Sequence, residues 1–199
     1  HLISGIGLDF NCFPYVPVNI SQLRFLFVGR LLKEKGMFDF LSAAKIVKEK
    51  YPHVEFLVLG SADDTSPNAL SNSDLQNYVD AGVIIYPGQV QNVLDYISLS
   101  SVFVLPSFRE GFPRSSQEAM AVGRPILTTD VPGCRETVVN GENGFLVPAF
   151  DVNALVNRMV WFIKNVDDIQ RMGLASRRMA EQRFDVNKAN DQIIEIMGL

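Results

Sequence analysis

Only two histidines, His1 and His53, and two cysteines, Cys12 and Cys134, occur in the 199 residues. Neither cysteine sits in a C-x-x-C pair and the two lie far apart, so no zinc site or disulfide framework is expected, and two reduced thiols are the plain reading. His1 is terminal. His53 follows Pro52 just after a predicted helix, a place suited to packing or helix-end pairing. No Ser/His/Asp or Cys/His constellation can be assembled from these residues. No apolar run is long enough to span a bilayer and no signal peptide opens the chain, which starts at His1 and reads as a piece of something larger. Lys and Arg form no run, and 18 basic against 22 acidic residues give a net charge of −4. Broad nucleic-acid binding is therefore excluded. Three motifs are missing too: the D-x-D pair that holds a metal–diphosphate complex, the G-x-x-x-x-G-K-[ST] phosphate loop, and the G-x-G-x-x-G dinucleotide fingerprint. Gly5-Ile6-Gly7 has no third glycine. Asp63-Asp64 falls in a polar loop and reads as a pair of solvated turn acids.

Apolar residues are not scarce. They make up 47% of the chain, enough for one ordinary domain with a real core and too many for disorder. Short apolar runs at 23–28, 54–59, 83–86, 102–105, 126–128 and 145–147 read as buried strands. Helical periodicity covers 37–50, 73–81, 93–99 and 115–121, and two or three helices fill 151–197. Continuous apolar strands alternating with helices predict a parallel sheet covered on both faces. The expected fold class is α/β, a Rossmann-like doubly wound parallel sheet. Residues 1–20, with Gly5, Gly7, Pro14 and Pro17, read as a linker. Residues 21–183 read as the domain, and 184–199 as a last helix able to cross to another half.

In such sheets ligands bind beyond the carboxyl ends of the strands, where the strand order reverses. The chemistry is therefore sought in the loops. The first reads Gly29-Arg30-Leu31-Leu32-Lys33-Glu34-Lys35-Gly36. A glycine after a strand, two cations and a following helix N-terminus can cradle a diphosphate, although a basic surface loop has the same composition. The loop after 102–105 reads Pro106-Ser107-Phe108-Arg109-Glu110-Gly111-Phe112-Pro113, and Glu118 follows in what reads as the first helical turn. Carboxylates accept hydrogen bonds from vicinal sugar hydroxyls, and Gly111 exposes backbone N–H groups. Two plainer readings stand beside this one. Glu110 can be a solvated loop acid, and Ser115-x-x-Glu118 matches a capping box. The segment Thr128-Thr129-Asp130-Val131-Pro132-Gly133 is a polar turn with a helix containing Glu136 beginning at Gly133. The turn Tyr86-Pro87-Gly88-Gln89-Val90 either borders a base or is an ordinary βα turn.

Taken in order, these pieces resemble the retaining GT-B glycosyltransferases of family 4, over nearly the whole chain. The matching residues are Gly7-Leu8-Asp9, Phe13-Pro14, Val28-Gly29-Arg30, Lys35-Gly36, Gly88, Leu105-Pro106-Ser107, Glu110-Gly111-Phe112 and Glu118-Ala119-Met120-Ala121-Val122-Gly123. They continue through Pro125, Gly133, Glu136 and Gly141-x-x-Gly144-Phe145-Leu146-Val147. The stretch Asp130-Val131-Pro132-Gly133-Cys134-Arg135-Glu136-Thr137 resembles the branch that builds bacterial surface polysaccharides and lipid-linked oligosaccharides.

The resemblance implies that this is the donor-binding half of a two-domain hexosyltransferase, with the acceptor half absent and the piece inactive alone. It implies that Arg30 and Lys35 hold the donor diphosphate and that Glu110 contacts the donor sugar; these three are the expected catalytic residues. Gly29, Gly88, Val90, Gly111, Phe112 and Pro113 are expected around the donor, with Glu118 on the ribose. A UDP-sugar is the expected donor and no metal cofactor is expected. A glycan or lipid-linked acceptor is expected through the missing half, in the cytoplasm or peripherally at the inner face of the membrane. A sugar-nucleotide epimerase of related fold, a non-catalytic nucleotide-sugar module and a dehydrogenase domain are the competing classes. The epimerase lacks its acid/base residues here, and the dehydrogenase lacks its fingerprint.

Overall fold

A computed structural model describes residues 7–62, 68–188 and 190. The strands are β1 Arg24–Val28, β2 Glu55–Leu59, β3 Ile85–Gly88, β4 Val102–Leu105, β5 Ile126–Thr129 and β6 Gly144–Val147. The helices are α1 Met37–Lys50, α2 Asn72–Asp80, α3 Val93–Leu99, α4 Arg114–Val122, α5 Val152–Lys164 and α6 Val166–Arg183. The strands form one parallel sheet in the order β3-β2-β1-β4-β5-β6. This is the doubly wound Rossmann-like arrangement expected from the sequence.

The order reverses between β1 and β4. Crossovers leave β1 and β4 in opposite directions, and their right-handedness puts α1 and α4 on opposite faces. α1 packs against α5, and α4 against α6. Because both faces are covered, β4 is apolar without alternation, and every residue of β4 and β5 is buried. Phe25 and Phe56 are partners across β1 and β2, and their rings stack at 5.4 Å. Each such buried ring contributes roughly 1.5–3 kcal/mol of burial energy.

The third strand lies two residues later than its apolar run predicts. Val83 and Ile84 are buried but precede the ladder; β3 begins at Ile85, and its residues Ile85 and Pro87 are exposed. As an edge strand it accommodates Pro87, which has no N–H to donate.

The leading segment packs on the domain. Leu8 donates its N–H to the Phe184 carbonyl at 2.6 Å and accepts from Val186 at 3.0 Å. The buried Arg124 guanidinium donates to the carbonyls of Ser100, at 2.9 Å, and Val16. Arg177 donates to the carbonyls of Phe13 and Ala121, both at 2.6 Å. The last helix expected from the sequence, 184–199, falls largely outside the described residues, as do His1 and Asp63-Asp64. Among the described residues no helix is long and apolar enough to cross a membrane.

Candidate functional site

The loops after β1 and β4 meet at the switch point of the sheet. The Ser107 hydroxyl and the Phe108 amide each donate to the Glu34 carbonyl at 2.8 Å. This brings Lys33–Lys35, a short 3-10 turn, against the second loop. Gly36 takes φ +72°, and a Cβ there would overlap the Pro106 carbonyl. Only glycine satisfies both the left-handed φ and the close approach. α1 starts directly after it with no side-chain cap, so its first N–H groups face the loop junction unpaired by any cap.

Lys35 and Glu110 are brought together by this docking. Lys35 Nζ donates to Glu110 Oε1 at 2.7 Å, and the side chains are 20% and 9% exposed. Glu110 is therefore no solvated loop acid. Arg30 does not join them: it is largely exposed, and its nearest acid is Glu34 at 3.9 Å. The third loop closes the floor. Thr128 Oγ1 donates to Leu105 O at 2.6 Å, and Thr129 Oγ1 to Ser107 O. Gly133, at φ +84°, lies against the carbonyls of Glu110 and Gly111. Behind it Cys134 is buried. Burial pushes its thiol pKa up, against the lowering effect of hydrogen bonds to Thr128 and Thr129. The expected helix from Gly133 shrinks to a 3-10 turn, Arg135–Thr137, which does contain Glu136.

Glu118 is not a helix cap. α4 begins at Arg114 with Pro113 at the N-cap and no side-chain cap bond, so Ser115 already lies inside the helix. Glu118 is the fifth helical residue, one step past the first turn where it was expected. It accepts from Arg114 Nε at 2.9 Å, an i,i+4 pair, and is 18% exposed.

Beyond the ends of β1, β2 and β3 lies a cavity of about 250 Å³. Its walls include Gly29, Arg30 and Val90, three of the residues expected at the donor, together with Gly60, Ser61, Gln89 and Val93. Gln89 belongs to the turn read either as bordering a base or as an ordinary βα turn; Gly60, Ser61 and Val93 were not among the expected donor residues. The signal for the first pair is the glycine that stops β2, Gly60, whose carbonyl accepts from Tyr86 Oη at 2.9 Å. Gly88 adjoins the cavity, and its carbonyl accepts from Gly60 N–H at 3.2 Å.

An open parallel sheet in this order, with two loops docked at its switch point and a cavity beyond the ends of β1, β2 and β3, defines a Rossmann-like α/β domain. Residues 22–165 match the glycosyl transferases group 1 family, and the chain belongs to that family. It is 32% identical over 158 residues to the capsular polysaccharide biosynthesis glycosyltransferase CapM of Staphylococcus aureus, covering 79% of this chain and 41% of that protein. It is 29% identical over 163 residues to the N,N'-diacetylbacillosaminyl-diphospho-undecaprenol alpha-1,3-N-acetylgalactosaminyltransferase of Campylobacter jejuni, covering 81% of this chain and 41% of that protein. The chain thus spans less than half the length of these curated relatives. In fold it matches HepE of Anabaena, solved in complex with UDP, with a TM-score of 0.84 at 23% identity, covering 96% of this chain and 56% of that one.

Proposed function

We propose that the chain is the donor-binding half of a glycosyltransferase that moves a sugar from a nucleoside diphosphate, UDP first, to a glycan or lipid-linked acceptor held by the other half. The observation that carries this is the junction of the two switch-point loops. It sets a lysine, a carboxylate and an uncapped helix start within one small space, beside a cavity the size of a nucleoside. Membership of the family and the UDP-bound fold relative support it, as do relatives named for capsule synthesis and for a diphospho-undecaprenol substrate.

The base and ribose occupy the cavity at Gly29, Gly88 and Val90, with Glu118 accepting from ribose hydroxyls. The diphosphate lies toward Arg30, Lys35 and the start of α1. Glu110 accepts from a hydroxyl of the donor sugar, and the backbone N–H groups of Gly111 and Phe112, with Pro113 behind them, line its other side. Breaking the bond from the anomeric carbon to the diphosphate gathers positive charge on the sugar and negative charge on the leaving group. The two cations and the helix dipole stabilise that negative charge where it develops, so the departure needs no further cation. In this account Lys35 is shared. It neutralises Glu110 and lends its charge to the donor diphosphate. Transfer with retention, and a position in the cytoplasm or at the inner face of the membrane, belong to the same proposal.

Incubating the complete enzyme with sugar nucleotides and a lipid-linked acceptor tests it. A glycosylated acceptor is the expected product. An isomerised donor indicates an epimerase, and binding without turnover indicates a regulatory module.

A further inference from the structure

Phe150 is the one non-glycine residue with positive φ among the described residues, at +64°, and it is 68% exposed. A bulky side chain in the left-handed region is a true outlier. Such strain persists where the surroundings enforce it, and it collects at ligand clamps. Phe150 follows β6 and directly precedes Asp151, whose carboxylate caps α5 through the Ala154 amide at 2.8 Å. Its ring lies on that of Phe108, with centroids 3.9 Å apart and planes tilted by 37°. Neither ring belongs to the hydrophobic core. Phe108 is itself fixed, because its amide bonds the Glu34 carbonyl in the turn that carries Lys35, and Glu110 follows two residues later.

A strained, exposed, paired aromatic therefore stands on the carboxyl-end face of the sheet, on the shoulder of the loop that presents Glu110. We propose that Phe108 and Phe150 form a stacking platform for a pyranose ring of the acceptor glycan, next to the donor sugar. This rests on the donor-half reading above. The C–H face of a pyranose is apolar and weakly positive, and an aromatic face is weakly negative, so the two surfaces suit each other. The hydroxyl rim of such a ring needs both donors and acceptors of hydrogen bonds. Arg109, exposed beside Phe108, supplies the first, and Asp151, exposed beside Phe150, the second.

The test is saturation-transfer NMR on the chain with UDP present. The probes are the methyl glycosides of glucose, galactose, mannose and N-acetylglucosamine. Phe150→Asn is the variant, since asparagine adopts positive φ readily and keeps the turn; Phe108→Leu is the second. The expected result is transfer to the ring protons of at least one glycoside, with affinity about tenfold weaker in Phe150→Asn, the size of one lost aromatic contact. UDP affinity in the same samples stays unchanged. Absence of transfer to all four probes while UDP binds, or equal transfer in both variants, overturns the platform and leaves the donor reading standing. Failure of the wild-type chain to bind UDP overturns the donor reading, and the platform with it.

Discussion

Lys35 and Glu110 form the ion pair nearest the proposed chemistry, and its burial sets its strength. Exposed pairs contribute little, but here the side chains are 20% and 9% exposed, so removing one partner leaves a poorly solvated charge. Lys35→Ala should lower stability by about 1–3 kcal/mol in urea unfolding, with Glu110→Gln at the smaller end because the amide still accepts a hydrogen bond. A double-mutant cycle should show coupling between them; strict additivity would mean the pair is absent in solution. Phe150 is the opposite case. Phe150→Asn loses a ring contact worth about 1 kcal/mol and relieves left-handed strain of about the same size, so its unfolding midpoint should stay close to wild type. A loss of 3–5 kcal/mol, as for a buried phenylalanine, would show that the ring is core after all.

The site depends on elements meeting at the right register, and this was only partly legible in the sequence. The apolar strands and the helices α1 and α3 declare themselves through periodicity, whereas the strand order, and with it the switch point between β1 and β4, comes from the structure. Where local signals competed, the sequence left alternatives open or displaced an element by a residue or two. Ser115-x-x-Glu118 has the spacing of a cap, yet α4 starts one residue ahead of Ser115 with Pro113 at its N-cap. Glu118 then pairs with Arg114 instead of reaching back. The run 83–86 is apolar enough for a strand, but the first two residues serve burial and only the edge from Ile85 pairs. The Lys35–Glu110 pair is invisible to spacing because it spans 75 residues and is set by tertiary docking. That docking leaves Gly36 no room for a side chain. Gly36→Ala must change a left-handed φ and push back the Pro106 carbonyl, and should cost about 2 kcal/mol or more and weaken UDP binding together. Intact UDP affinity in a folded Gly36→Ala chain would separate the loop junction from the donor site.

At the scale of the molecule, the leading segment and the end of α6 lie side by side. Gly7 approaches the Val186 backbone, and Leu8 pairs with Phe184 and Val186. Phe184 in turn packs edge-on against Phe112 of the loop after β4, with ring centroids 5.2 Å apart. Further along the leading segment, Arg124 ties Val16 to Ser100, just ahead of β4. Burial pushes its guanidinium pKa down to about 10, so it stays charged at neutral pH and holds backbone carbonyls from both sides. Nothing in the local sequence around Arg124 marks its burial, because the carbonyls of Val16 and Ser100 that it holds lie 108 and 24 residues away in the chain. Arg124→Met should lower stability by about 3 kcal/mol or more, at about 1–3 kcal/mol for each carbonyl left dry, while leaving UDP affinity of the folded fraction unchanged.

The central claim, that the switch-point loops bind a nucleotide sugar, is tested most directly by calorimetric titration of the chain with UDP and UDP-sugars, without added metal. It is run beside the Arg30→Ala/Lys35→Ala double variant. The account predicts saturable binding that weakens by at least about a hundredfold in the variant, for two charge-assisted contacts at about 1.5–3 kcal/mol each. A folded wild-type chain that binds neither UDP, GDP nor ADP, or a variant that binds as tightly as wild type, would contradict it.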